Sequence, residues 1–116
     1  MSDITVPTFL PLAERARLAQ ARRLTTPCGD GELVWHAWGE PRAGVPPLVL
    51  FHGGSGSWTH WVKNILPLVD AGRSVWAVDL PGFGDSGPPT GGSDADAMVA
   101  PLAASLRQLM GDEPVD

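Results

Sequence analysis

The sequence reads as an α/β protein whose central strands run parallel, and three observations carry that reading. Leu48–Phe51 and Val75–Val78 are short, unbroken apolar runs rich in β-branched or aromatic residues. Strands buried on both faces of a parallel sheet have that pattern. Between them, Trp58 to Ala71 carries apolar residues at helical spacing, which makes a strand–helix–strand unit with a right-handed crossover. Each run then ends in a glycine-rich loop, 52–57 and 82–87. Ligands of open α/β sheets gather at that carboxyl edge.

In chain order, residues 1–24 read as an N-terminal helical extension. Pro7 and Pro11 keep its start irregular, and Leu12 to Leu24 is rich in strong helix formers. Its apolar positions make no single stripe, and Arg15, Arg17, Arg22 and Arg23 make it locally basic. A solvated helix packed lightly on the domain is expected, in preference to one contacting an acidic partner or a membrane. Residues 25–39 read as a hairpin, because Gly29-Asp30-Gly31 is a turn signal between Leu24–Cys28 and Glu32–Trp38. Both faces of the second arm carry apolar weight, and His36 within it is read as a half-buried scaffold residue. Cys28 has no close basic flank and is read as inert packing. From Gly39 to Pro47, three prolines and two glycines exclude regular structure.

The loop His52-Gly53-Gly54-Ser55-Gly56-Ser57 follows the first buried strand. A phosphate cradle is one reading of a glycine-serine loop before a helix, but the loop runs into Trp58 where a P-loop needs its G-K-S/T ending. In the next segment Trp58, Trp61, Val62, Ile65, Leu68 and Val69 are spaced for a helix. The helix should break or restart near Pro67, and Gly72 should cap it. After the second loop, Ser93-Asp94-Ala95-Asp96 reads as a helix start, with Met98, Val99, Leu102, Leu106, Leu109 and Met110 on one face. Pro101 should kink that helix and Gly111 should stop it.

Taken together, His52-Gly53-Gly54 after a strand, Trp58-Thr59-His60-Trp61 opening a helix, and Asp79-Leu80-Pro81-Gly82-Phe83-Gly84-Asp85-Ser86 after the following strand resemble the first half of an α/β-hydrolase. The resemblance covers roughly residues 25 to 116 and makes 25–116 the N-terminal part of such a domain. It implies a partial sheet, with an N-terminal hairpin followed by parallel strands and crossover helices. It implies a parent hydrolase acting on ester, amide or related bonds through a nucleophile–histidine–acid triad, with no cofactor and a small-molecule substrate. By analogy Gly54, then Gly53, offers a backbone N–H to the oxyanion. His52, Asp79 and Asp85 shape the loops, and Ser55 and Trp58 are candidates for the substrate cleft. Core packing is the competing reading for Trp58. Asp79 has a minor alternative as a catalytic acid. In the family the nucleophile elbow, G-x-S-x-G, would begin roughly five to ten residues beyond Asp116, with acid and base later still. The chain is therefore expected to be inactive without a missing C-terminal half. The alternative is a short binding or assembly module with half of the fold.

Two motifs in the second loop mislead. Gly82-Phe83-Gly84-Asp85-Ser86-Gly87 matches G-x-G-x-x-G, yet Pro88 and Pro89 follow where a dinucleotide fold needs its helix. Gly84-Asp85-Ser86-Gly87-Pro88 is one glycine short of the serine-protease GDSGGP, so Ser86 is not read as a nucleophile. At 116 residues the chain suits one small domain. With 43% hydrophobic and 18% charged residues it can bury a core. A net charge of −5 argues against nucleic acid as the partner. A lone cysteine and the absence of a signal-like start point to the cytoplasm, with no membrane span.

Overall fold

The computed structural model describes residues 6–28, 31–52, 57–80, 86, 95–111 and 114–116. The described elements are α1 (Leu12–Leu18), β1 (Arg22–Cys28), β2 (Gly31–Trp38), β3 (Leu48–Phe51), a 3-10 turn (Trp58–Trp61), α2 (Ile65–Asp70), β4 (Val75–Asp79) and α3 (Ala95–Met110). The four strands form one sheet in the order β1-β2-β4-β3. β1–β2 and β2–β4 are antiparallel, while β3 and β4 are parallel neighbours. This is a partial α/β-hydrolase fold, with the hairpin leading into the parallel pair.

Alternation along each strand builds two cores. On one face Trp38, Leu50, Val75 and Ala77 meet Leu18 of α1, Trp58 of the 3-10 turn, and Ile65 and Leu66 of α2. On the other face Leu33, Trp35 and Val78 meet Leu102, Leu106 and Leu109 of α3. β2 supplies both cores, so every residue from Leu33 to Trp38 is buried. His36 is fully buried rather than half-buried. Its ring lies 5.7 Å from that of Trp58. Polar groups inside the sandwich are paired. Ser105 of α3 shares hydrogen bonds with Thr26 (2.6 Å) and with the indole N–H of Trp35 (2.6 Å). Cys28 is buried, and that burial pushes its thiol pKa up, which keeps it protonated and unreactive.

Several boundaries differ from the sequence reading. The first helix ends at Leu18, not Leu24. Arg22, Arg23 and Leu24 instead pair with Ala37, His36 and Trp35, so cross-strand pairing overrides their helix propensity. The Trp38 indole donates to the Leu18 carbonyl at 2.9 Å, which satisfies one of the acceptors freed where α1 stops. The helix expected over Trp58–Ala71 breaks after the 3-10 turn and restarts at Ile65, two residues before Pro67. Pro67 lies in the first turn of α2, where an N–H would have no helical acceptor. Gly72, with φ +95°, ends α2. Its N–H donates to Val69 and that of Arg73 to Leu68, which is the Schellman pattern. α3 runs through Pro101. It packs over β1 and β2, where Ser105 meets Thr26 and Trp35.

The sheet's outer edge is also engaged. Asp116 N–H donates to the Pro47 carbonyl and Val49 N–H to the Asp116 carbonyl, both at 2.9 Å. That pair of bonds sets Asp116 beside Leu48 in the parallel sense. The Arg73 guanidinium holds the same corner, donating to the Pro46 carbonyl at 2.9 Å and to the Asp116 carboxylate at 2.6 Å. No described helix is long and apolar enough to cross a membrane.

Two glycines give a paired test of backbone strain. Gly39 (φ +81°) and Gly44 (φ +79°) are both left-handed, but only at Gly39 would a Cβ meet backbone, 2.6 Å from the Arg73 carbonyl oxygen. A left-handed L-residue costs about 1–2 kcal/mol. Gly44→Ala should lose about that much in urea unfolding, and Gly39→Ala clearly more. Equal losses would contradict the close approach of Arg73 to Gly39.

Candidate active site

The site is built where β3 and β4 end. Phe51 stands opposite Val78 in parallel register, so His52 and Asp79 leave the sheet side by side, on the face away from α3. Both are buried, at 4% and 1% exposure. Neither is surrendered to solvent, because each ties one loop to the other. The Leu80 N–H donates to His52 Nε2 at 2.9 Å, which assigns the ring proton to Nδ1. The Trp58 N–H donates to Asp79 Oδ1 at 2.8 Å. Residues 53–57 are thus bracketed by two anchors, and both anchors hold the same dipeptide, Asp79-Leu80.

Ser86 fixes the far end of the second loop. Its hydroxyl donates to the Asp79 carbonyl and accepts from the Val34 N–H at 2.8 Å. Val34 and Asp79 are register partners across β2 and β4. The hydroxyl therefore sits between the two strands and links them through its own donor and acceptor. Sequence reasoning treated Ser86 only as a false nucleophile and missed this role. The signal was its place at the end of a loop that begins at Asp79, but no spacing rule shows which backbone groups it would meet.

The remaining candidates fall as follows. Trp58 packs into the core against Trp38, with ring centroids 5.4 Å apart. His60 is exposed and sets its ring edge-on to His52 at 5.8 Å. The Ser57 hydroxyl accepts from the Thr59 N–H at 3.3 Å and caps the 3-10 turn. Gly53, Gly54, Ser55 and Asp85 lie outside the described residues. Among the described residues no three His, Cys, Asp or Glu side chains are grouped to hold a metal. A cavity of about 470 Å³ lies at the opposite end of the sheet, between Pro46, Ser74, Trp76 and Leu109. It belongs to the amino ends of β3 and β4 and brings none of the site residues together.

The Ser86 link is testable by itself. Ser86→Ala leaves a buried N–H and a carbonyl without their shared partner, which should cost about 1–3 kcal/mol in chemical unfolding. A variant as stable as the parent would contradict the bridging role.

Comparison with known proteins agrees with this architecture. A family model described as the alpha/beta hydrolase fold matches residues 46–116. A 2-hydroxy-6-oxononadienedioate/2-hydroxy-6-oxononatrienedioate hydrolase from Cupriavidus pinatubonensis is 38% identical over 71 residues, which are 59% of this chain and 24% of that protein. A soluble epoxide hydrolase from a Corynebacterium species is 41% identical over 64 residues, 55% of this chain and 21% of that one. The crystal structure of a bromoperoxidase from Bacillus anthracis superposes with a TM-score of 0.65 at 29% identity, covering 76% of this chain and 31% of that one. The chain thus spans about a quarter of the length of the curated relatives it matches. With the strand order, the paired loops and this match over most of its length, the chain belongs to the α/β-hydrolase fold family.

Proposed function

We propose that this chain supplies the oxyanion loop of a hydrolase active site, and that the nucleophile, acid and histidine come from a segment that joins the sheet at the outer edge of β3. The observation that supports this best is the double anchoring of one loop. His52 and Trp58, which bracket Gly53 and Gly54, are both held by Asp79-Leu80 at the carboxyl edge of two parallel strands. A loop whose ends are fixed before substrate arrives can present backbone donors without reorganising, which is what oxyanion stabilisation requires.

In this reading a nucleophile attacks the electrophilic carbon and negative charge grows on the substrate oxygen. The N–H of Gly54, or failing it Gly53, donates to that oxygen beside the N–H that follows the nucleophile. His52 is not the base, since its Nε2 is committed to Leu80. Ser86 is not the nucleophile, since its hydroxyl is buried between β2 and β4. The incoming segment has a place to pair. Val49 N–H already faces outward to Asp116, so by strand alternation the Val49 carbonyl and the Phe51 N–H face the same open side. The relatives include a hydrolase of dienedioates and an epoxide hydrolase. The reading therefore stays at hydrolysis of ester, amide or related bonds. A reducing, cytoplasmic setting suits the single buried thiol.

Purified residues 1–116 should neither turn over activated esters nor be labelled by an active-site-directed phosphonate. In a longer protein that contains this segment, Gly54→Pro deletes one donor. It should lower kcat about 10²–10³-fold, with a far smaller change in KM. Robust ester turnover by the 116-residue chain, lost on replacing Ser55 or Ser86, would overturn the reading.

A further inference from the structure

The bond between His52 and Leu80 has a chemical asymmetry. A backbone N–H can only donate, so the ring nitrogen facing it at 2.9 Å must be an unprotonated acceptor. Neutral imidazole meets that demand in one tautomer alone, with its proton on Nδ1. Adding a proton to the Nε2 lone pair converts the acceptor into a donor and sets two N–H groups against each other. The residue is only 4% exposed, so little water is at hand to replace this bond once the ring is doubly protonated.

We propose that His52 is a proton-operated latch between the ends of β3 and β4. Neutral, it holds Leu80 and ties the end of β3 to the end of β4; doubly protonated, it releases the Leu80 N–H. Two titratable groups stand beside it among the described residues. His60 on the 3-10 turn is edge-on at 5.8 Å. Asp79 is the adjacent residue at the end of β4, its carboxylate accepting from the Trp58 N–H. The Ser86 hydroxyl and the Asp79 carboxylate make their own bonds to Val34 and Trp58. The inference does not depend on the hydrolytic reading, because it concerns a bond already present in this chain.

The test uses the full 116-residue chain labelled with ¹⁵N. The ring nitrogens of His52 report the tautomer, and the Leu80 amide reports the bond. At neutral ring charge the shifts should be those of the Nδ1–H form. On acidification the Leu80 amide should move in the same transition as the His52 ring, with its protection against exchange, relative to the intrinsic rate at each pH, falling about three- to tenfold, as loss of one net hydrogen bond implies. His52→Gln supplies an amide oxygen that does not titrate, so the Leu80 transition should vanish. It should persist in His60→Gln. An Nε2–H tautomer in the parent chain overturns the proposal without any variant. So does a Leu80 amide that ignores the titration of His52, or a Leu80 transition that survives in His52→Gln.

Discussion

The end of β4 is the point on which the rest of this molecule depends. Asp79 is nearly fully buried, and a buried carboxylate is tolerated only where hydrogen bonds replace its water. Here the Trp58 N–H supplies one of them. The same residue's carbonyl takes the Ser86 hydroxyl, and the next residue's N–H goes to His52. The Asp79 carbonyl and the Leu80 N–H are backbone groups at the end of β4 that find their partners in these side chains. Satisfying them locally fixes where both loops leave the sheet. The polar accounting at the strand ends and the geometry of the site are therefore the same problem.

That arrangement needs a rigid base, and the double-sided core supplies it. β2 is buried on both faces, with Trp38 toward α2 and Trp35 toward α3. Trp35 brings an indole N–H into the α3 side, where Ser105 accepts it and links β1 through Thr26. On the other side the Trp38, Trp58 and His36 rings form a contiguous cluster. Trp58 is thus both part of the core and, through its N–H, an anchor of the loop. Packing and site geometry are joined at one residue. By contrast, the Arg17–Asp70 pair between α1 and α2 is solvent-exposed on both sides. The hydrogen bond from Arg17 holds the Asp70 carboxyl below its ordinary value, so the tie exists at neutral pH and fades on acidification. Screening leaves it little weight.

Much of this was legible from the residues. The apolar runs at Leu48–Phe51 and Val75–Val78 have few alternatives to buried parallel strands, and the turn at Gly29-Asp30-Gly31 left the hairpin little choice. Boundaries were less legible wherever tertiary pairing opposed local preference. Arg22–Leu24 are good helix formers, yet they lie opposite Ala37, His36 and Trp35 and become strand. Pro67 marked a break or restart nearby, but spacing alone cannot show that α2 begins two residues before it. At the site, His52 and Asp79 stood out as chemistry beside glycines. Ser86 as a strand-to-strand bridge did not, because its partners, Val34 and the Asp79 backbone, are brought to it by sheet register. Serine in a loop carries no sequence mark of what its hydroxyl will meet.

The central claim is that this fold offers one half of a catalytic edge and accepts the other half beside β3. Its most direct test is the intact mass and composition of the native species that carries this sequence, isolated from its source under non-denaturing conditions. The account predicts that the sequence is found joined, covalently or in a stable complex, to a segment that bears a nucleophile elbow. The total mass would then be several times 12.2 kDa. A monodisperse species of 12.2 kDa with no partner would contradict it and leave a free-standing binding module as the better description.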